Sequence, residues 1–161
     1  LPKFYGGFNT SLSWKGFDLS AIFAYSIGGY IYNRDITMIL HNGSLEGRDW
    51  STEILKRWTP ENRYTDVPAL STTSNNWNSA STRFLQNNSY MRLKNLTLSY
   101  DLPKQWISKL ALSSVQVFVQ GDNLFTIHRN QGLDPEQGIT GITYYRYPAM
   151  RTISGGINLS F

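Results

Sequence analysis

The sequence predicts an all-β fold: a membrane-spanning antiparallel β-barrel, of which these 161 residues supply the last five or so strands. Three observations predict it. Five stretches alternate apolar and polar residues with a period of two, over lengths close to the ~9–11 residues that a tilted strand needs to cross a bilayer. The connections between these stretches are short, long, short and long in turn, so an antiparallel sheet gathers both long ones on one side. The final stretch, Arg151–Phe161, sets Ile153, Gly155, Ile157, Leu159 and Phe161 against Thr152, Ser154, Gly156, Asn158 and Ser160, and closes on an aromatic residue.

Taken in order, the first strand (about 4–14) alternates Phe4, Gly6, Phe8, Thr10, Leu12 and Trp14 with Tyr5, Gly7, Asn9, Ser11 and Ser13. Lys15-Gly16 makes a tight turn, and the second strand (about 17–28) answers with Phe17, Leu19, Ala21, Phe23, Tyr25 and Ile27. Trp14 and Phe17 flank the turn where an aromatic girdle would meet the membrane interface. From about 29 to 89 the strand pattern lapses. Within it, Ser51 to Trp58 reads as a helix capped by Asp49 or Ser51, with Ile54, Leu55 and Trp58 on one face and Pro60 as its stop. A structureless loop of that length argues against a compact soluble domain and is ordinary on a barrel.

The third strand (about 90–101) places Leu96, Leu98 and Tyr100 on one face and Asn95, Thr97 and Ser99 on the other. Arg92 and Lys94 share the apolar parity, near the end where the chain is expected to leave the hydrocarbon. Pro103 opens a short helical turn through Leu110, as Pro does at a first helical position. The fourth strand (about 113–126) alternates Val115, Val117, Val119 and Gly121 with Gln116, Phe118, Gln120 and Asp122. A second long connection (about 127–149) carries Asp134-Pro135-Glu136 and Tyr144-Tyr145, and the closing strand (about 150–161) follows. If that strand descends to Phe161, then Trp14, Phe17, Tyr100 and Trp106 gather at the same edge. Five strands cannot close a barrel, since bacterial single-chain barrels start at eight. Together with the start at Leu1, this leads us to expect a carboxy-terminal segment of a longer chain.

Composition narrows the function classes. Aromatic residues make up 14% of the chain, and no run of apolar residues is long enough for a membrane-spanning helix. The net charge of +4 comes from scattered basic residues interleaved with acids, so no nucleic-acid-binding face is expected. With no cysteine, disulfides, zinc–thiolate sites and cysteine nucleophiles are excluded. His41 and His128 lie on predicted loops and read as solvated side chains rather than metal ligands. Asp134 and Glu136 straddle a proline, which reads as a turn contacting a neighbouring loop rather than an acid–base pair. No nucleophile elbow or phosphate-cradling loop is present. Neither a cofactor nor an enzymatic activity is expected.

The aromatics of the long connections are the candidate contact residues. Trp50, Trp58, Tyr64, Trp77, Tyr144, Tyr145 and Tyr147 fall on one side, where rings can stack on sugars, anchor a protein interface or pack the loops on themselves. Trp77 sits in the variable-looking stretch Ser71 to Ser81 and is the leading candidate, with Trp50, Tyr64, Tyr144 and Tyr145 beside it.

The ordered motifs carry a resemblance. Ser89-Tyr90-Met91-Arg92-Leu93-Lys94-Asn95-Leu96-Thr97-Leu98-Ser99-Tyr100 followed by Leu102-Pro103 comes first. Then come Gly121-Asp122-Asn123-Leu124-Phe125-Thr126, Gly132-Leu133-Asp134-Pro135-Glu136, and Tyr147-Pro148 leading into Arg151-Thr152-Ile153. Gly156-Ile157-Asn158-Leu159-Ser160-Phe161 closes the set, and Gly6-Gly7-Phe8-Asn9, Trp14-Lys15-Gly16-Phe17-Asp18 and Arg57-Trp58-Thr59-Pro60-Glu61-Asn62 precede it. This series resembles the end of the barrel of SusC/RagA-type TonB-dependent outer-membrane transporters of Bacteroidetes.

The resemblance implies a 22-stranded barrel with an amino-terminal plug outside this sequence, extracellular long loops, and import of oligosaccharides or peptides. It also implies a SusD-like surface lipoprotein as lid and coupling to TonB–ExbB–ExbD through regions not in this sequence. Phe161, Leu159 and Ile157 are then expected to form the signal read by the barrel-assembly machinery, with one strand face against membrane lipid. Two other readings stay open: a SusC-like barrel acting as a non-transporting subunit of a larger outer-membrane complex, and a soluble β-sandwich whose apolar faces pack on a second sheet.

Overall fold

The computed structural model describes all residues except 42, 44, 72, 74–76, 78, 109–111, 131–133, 137–139, 144 and 145. The chain divides into two compact units. The first comprises Leu1–Gly29, Asn88–Glu136 and Tyr147–Phe161; the second comprises Tyr30–Asn87 and Gln137–Arg146.

The first unit is an antiparallel sheet. β1 (Phe4–Trp14) and β2 (Phe17–Ile27) form a hairpin in full register, from Trp14 opposite Phe17 to Phe4 opposite Ile27. Its two-residue turn needs positive φ at both central positions, and Lys15 (φ 47°) and Gly16 (φ 88°) supply it. Further along the chain lie β5 (Tyr90–Asp101), β6 (Ser114–His128) and β8 (Thr152–Ser160), and the sheet order is β1-β2-β5-β6-β8. β6 extends two residues further than its alternation suggested, through Ile127 and His128, because both pair with β5. The short connection after β5 holds α2 (Lys104–Ile107), with Pro103 as the residue before the helix rather than its first residue.

The registers bring the strand parities together into two faces. One carries Leu12, Leu19, Leu98, Val119 and Gly155 across the five strands, with Trp14, Phe17, Tyr100, Val117 and Ile157 in the next row. Most of its large side chains are exposed, including Leu12, Leu98, Val117, Val119 and Ile157. The opposite face is polar and bonded along its length: Asn95 Nδ2 donates to Asp122 Oδ1 (2.8 Å), Gln116 Nε2 to Asp101 Oδ1 (3.0 Å) and Asn158 Nδ2 to Gln116 Oε1 (3.2 Å). Phe118 joins that face by lying over Gly156, where an added Cβ would stand 2.8 Å from the ring. A sheet with an exposed apolar face and a hydrogen-bonded polar face suits a wall between lipid and water. It does not suit a β-sandwich, whose apolar face would be covered.

The second unit occupies most of the region read as a strand-free loop. It contains β3 (Tyr30–Asn33), α1 (Arg34–Ile39), β4 (Leu85–Asn87) and β7 (Ile142–Thr143), with β3 central between antiparallel β4 and parallel β7. These elements are only two to six residues long, too short for a periodic pattern to show in sequence. Asn33 caps α1 by accepting the Ile36 N–H (3.0 Å). Ile31, Leu40, Ile54, Val67 and Phe84 form its buried apolar core, with Tyr32 edge-on to Phe84.

The segment expected as a helix from Ser51 is a 3-10 turn, Thr52–Lys56, capped by Ser51, whose Oγ accepts the Glu53 N–H. That geometry separates the three residues expected on one face: Ile54 is buried, whereas Leu55 is 74% exposed and Trp58 is also exposed. The turn ends at Lys56, before Pro60 is reached, and Asn62 closes it by donating from Nδ2 to the Lys56 and Arg57 carbonyls (2.9 and 3.2 Å).

Candidate functional site

The most developed polar arrangement of the first unit lies at the long-connection end of β5. Alternation along β5 assigns Arg92 to the apolar parity, and the structure corrects that assignment. Between Asn95 and Leu93 the register shifts against both neighbours: Asn95 faces Ile22 and Asp122, whereas Leu93 faces Phe23 and Phe125. Lys94 is the residue left over against β2, and Asn123 on β6 adopts a left-handed conformation (φ 52°) opposite it. A bulge of this kind reverses the facing of everything beyond it. Leu93 and Met91 therefore join the apolar face, and Arg92 turns to the polar one.

There Arg92 is 3% exposed and fully engaged. Its Nε donates to Thr126 Oγ1 (2.9 Å) and its Nη1 to Glu136 Oε2 (2.8 Å), while Nη2 bonds Asp134 Oδ1 at close range. Lys94 Nζ reaches both Glu136 oxygens (2.6 Å each). Asp134 is the hub: Oδ1 also accepts the Glu136 N–H (2.9 Å), and Oδ2 accepts the Ala149 N–H (2.6 Å). Burial is the largest single influence on Asp134 and opposes ionisation. The Ala149 N–H, the Arg92 guanidinium and the Glu136 N–H together outweigh it and hold the carboxyl below its ordinary range. Between the two acids, Pro135 is buried, and its carbonyl accepts from Asn88 Nδ2 (2.9 Å).

Two oppositely charged pairs with satisfied hydrogen bonds make a structural joint and leave no free general base. Sequence reading found the Asp-Pro turn and missed its partner, because the bulge that turns Arg92 inward leaves no mark in the alternation. Gly132 and Leu133 of the same motif lie outside the described residues.

Of the described candidate aromatics, Trp50, Trp58, Tyr64 and Trp77 fall in the second unit, where they are placed separately, and Tyr147 belongs to the first. Trp50 stands edge-on to His41 (centroids 5.1 Å, 81°), and Trp77 lies under the Arg83 guanidinium (3.5 Å), whose Nη1 donates to the Asp66 carbonyl. Tyr64 is fully exposed. Tyr144 and Tyr145 lie outside the described residues. His41 was expected to be solvated and is instead completely buried, its Nδ1 accepting the Leu45 N–H (3.3 Å) and its ring packed against Trp50. His128 is exposed and contacts the Asn130 carbonyl through Nδ1 (3.0 Å). Among the described residues no His, Asp and Glu side chains group as metal ligands.

At the short-connection end, Phe17 packs on Tyr100 (4.4 Å), Lys15 lies over Trp14 (5.0 Å), and Trp14 and Trp106 are exposed. Phe161 is 92% exposed, as are in lesser degree Leu159 and Ile157.

No protein-family model matches the chain. Individual proteins do. TonB-dependent receptor P3 of Formosa agariphila is 33% identical over 171 aligned positions, covering 99% of this chain and 16% of that protein. TonB-dependent receptor P26 of the same organism is 30% identical across the whole chain and 17% of its own length. TonB-dependent receptor SusC of Bacteroides thetaiotaomicron is 28% identical over 96% of the chain and 15% of its own length. Among solved structures, the RagAB peptide importer superposes over the entire chain at 34% identity, with TM-scores of 0.87 in its closed-closed state and 0.89 in its open-open state.

The chain thus spans about a sixth of the length of the curated relatives it matches (15–17%). These relatives are receptors and not enzymes. The two-faced antiparallel sheet, the matches running end to end and the superposition on RagAB agree: the chain belongs to the SusC/RagA family of TonB-dependent outer-membrane receptors and forms part of their β-barrel wall.

Proposed function

We propose that this segment serves in TonB-powered import of nutrients, oligosaccharides or peptides, across the outer membrane, as part of the SusC-like barrel of a complex with a SusD-like surface lipoprotein. The observation that carries the reading is the superposition of the whole chain on the RagAB importer at 34% identity and a TM-score of 0.87–0.89. In this reading the long connections are extracellular, and the short ones, with Phe161, are periplasmic. Coupling to TonB–ExbB–ExbD would run through regions of the full-length protein outside these residues. Phe161, Leu159 and Ile157 would be read by the barrel-assembly machinery, and the exposed apolar face would meet membrane lipid.

We assign recognition of substrate or lipoprotein to the loop aromatics Tyr64, Trp77, Trp50, Tyr144 and Tyr145. Tyr64 is the most available of those described, since it is wholly exposed while Trp50 and Trp77 each already contact a neighbouring side chain.

The test is uptake by cells carrying or lacking the full-length gene, supplied with defined oligosaccharide or peptide mixtures, with and without TonB. Uptake of one mixture that needs both the gene and TonB supports import. A barrel present at normal level with no TonB-dependent uptake of any mixture would favour the non-transporting subunit instead.

A further inference from the structure

The cluster around Asp134 does more than neutralise charge, because of which pieces of chain it joins. Asp134 and Glu136 lie on the leg of the β6–β8 connection that leaves the first unit at Glu136; Ala149 lies on the leg that returns at Tyr147. Asp134 bonds both legs at once: the outgoing one through the Glu136 N–H, the returning one through the Ala149 N–H. It is itself held to β5 by Arg92, and Arg92 to β6 by Thr126. A second bond ties the returning leg to β6, from Asn123 Nδ2 at the bulge to the Met150 carbonyl (3.2 Å). Arg92 and Asp134 are both almost fully buried (side chains 4% and 6% exposed), so this joint is little screened by solvent.

We propose that Arg92, Asp134, Glu136 and Lys94 form a fixed anchor that makes both legs of the β6–β8 connection part of the barrel wall, so that the neck of this surface loop moves only with the sheet. The β5 bulge is the device that makes it possible, because an unbulged β5 would point Arg92 toward lipid. The inference rests on the geometry of the first unit and does not require that the protein transports anything.

Hydrogen exchange read by mass spectrometry on the full-length barrel tests it directly. In the wild type, the Ala149 and Glu136 amides should exchange as slowly as the paired amides of β5 and β6. Asp134→Ala should speed both by at least tenfold while Leu96–Leu98 and Val117–Val119 stay protected. Arg92→Lys, which keeps the charge but loses the fork, should give an intermediate acceleration and guards against failure of the first variant to assemble. Wild-type Ala149 exchanging at the rate of an unstructured loop would overturn the proposal. So would unchanged protection in Asp134→Ala, or loosening that spreads equally through β5 and β6.

Discussion

At Arg92 one backbone irregularity decides which surroundings a cation meets. In the regular alternation of β5 it would sit beside Leu96 and Leu98; one residue of slip at Lys94 puts it against Thr126, Asp134 and Glu136. Removing one partner of a buried ion pair costs about 3–5 kcal/mol, since the other charge stays buried without compensation. Arg92→Met should therefore lower the urea midpoint of the refolded full-length barrel, and Arg92→Met/Asp134→Asn together should lower it less than the sum of the two singles. The pH dependence follows from Asp134. Its carboxyl is held below its ordinary range when folded, so the stabilisation is complete above the unfolded value of about 3.9 and is lost as pH falls through the lower folded value. Protection of the Ala149 amide, corrected for intrinsic exchange, should be the same at pH 7 and pH 5 and decline only in more acidic solution.

Among the elements, β8 shows the plainest division of labour. Ile153, Gly155, Ile157 and Leu159 pair with Gly121, Val119, Val117 and Val115 on the apolar face, while Ser154 and Asn158 pair with Gln120 and Gln116 on the polar one. A charge on the lipid face costs up to about 2–4 kcal/mol, depending on its depth in the bilayer. Ile157→Arg should thus reduce the folded, heat-modifiable fraction in lipid vesicles, whereas Asn158→Lys should leave it nearly unchanged. Deleting Phe161 should reduce the amount of barrel in the outer membrane more than it reduces cargo uptake per assembled barrel; normal barrel levels with lost uptake would contradict that assignment.

These strands were legible because each is long and two-faced: the alternation of β1, β2, β5, β6 and β8 is visible residue by residue. The second unit was not, because β3, β4 and β7 are too short to show a period and are specified by tertiary packing around Ile31 and Phe84. The anchor was half legible. Asp134-Pro135-Glu136 announced a turn, but Arg92 could be assigned only once the bulge was seen, and His41 was misplaced because no local pattern signals its contacts with Leu45 and Trp50.

On the scale of the whole molecule, the order β1-β2-β5-β6-β8 is a sheet open along β1 and β8. Open edges leave backbone donors and acceptors that cannot go unpaired in hydrocarbon, so in the membrane each edge needs a neighbouring strand. A barrel supplies both and puts the apolar face outward, with the polar ladder of Asn95, Asp122, Gln116 and Asn158 inward. The segment has no cysteine, so single cysteines placed along β8 report on it one position at a time.

In the full-length protein embedded in native outer membrane, cysteines at 152, 154, 158 and 160 should react with a water-soluble maleimide. Fluorophores attached at 153, 155, 157 and 159 should be quenched by nitroxide lipids. Labelling that fails to alternate, or that alternates with the opposite parity, would contradict the assignment of this chain to a lipid-facing barrel wall.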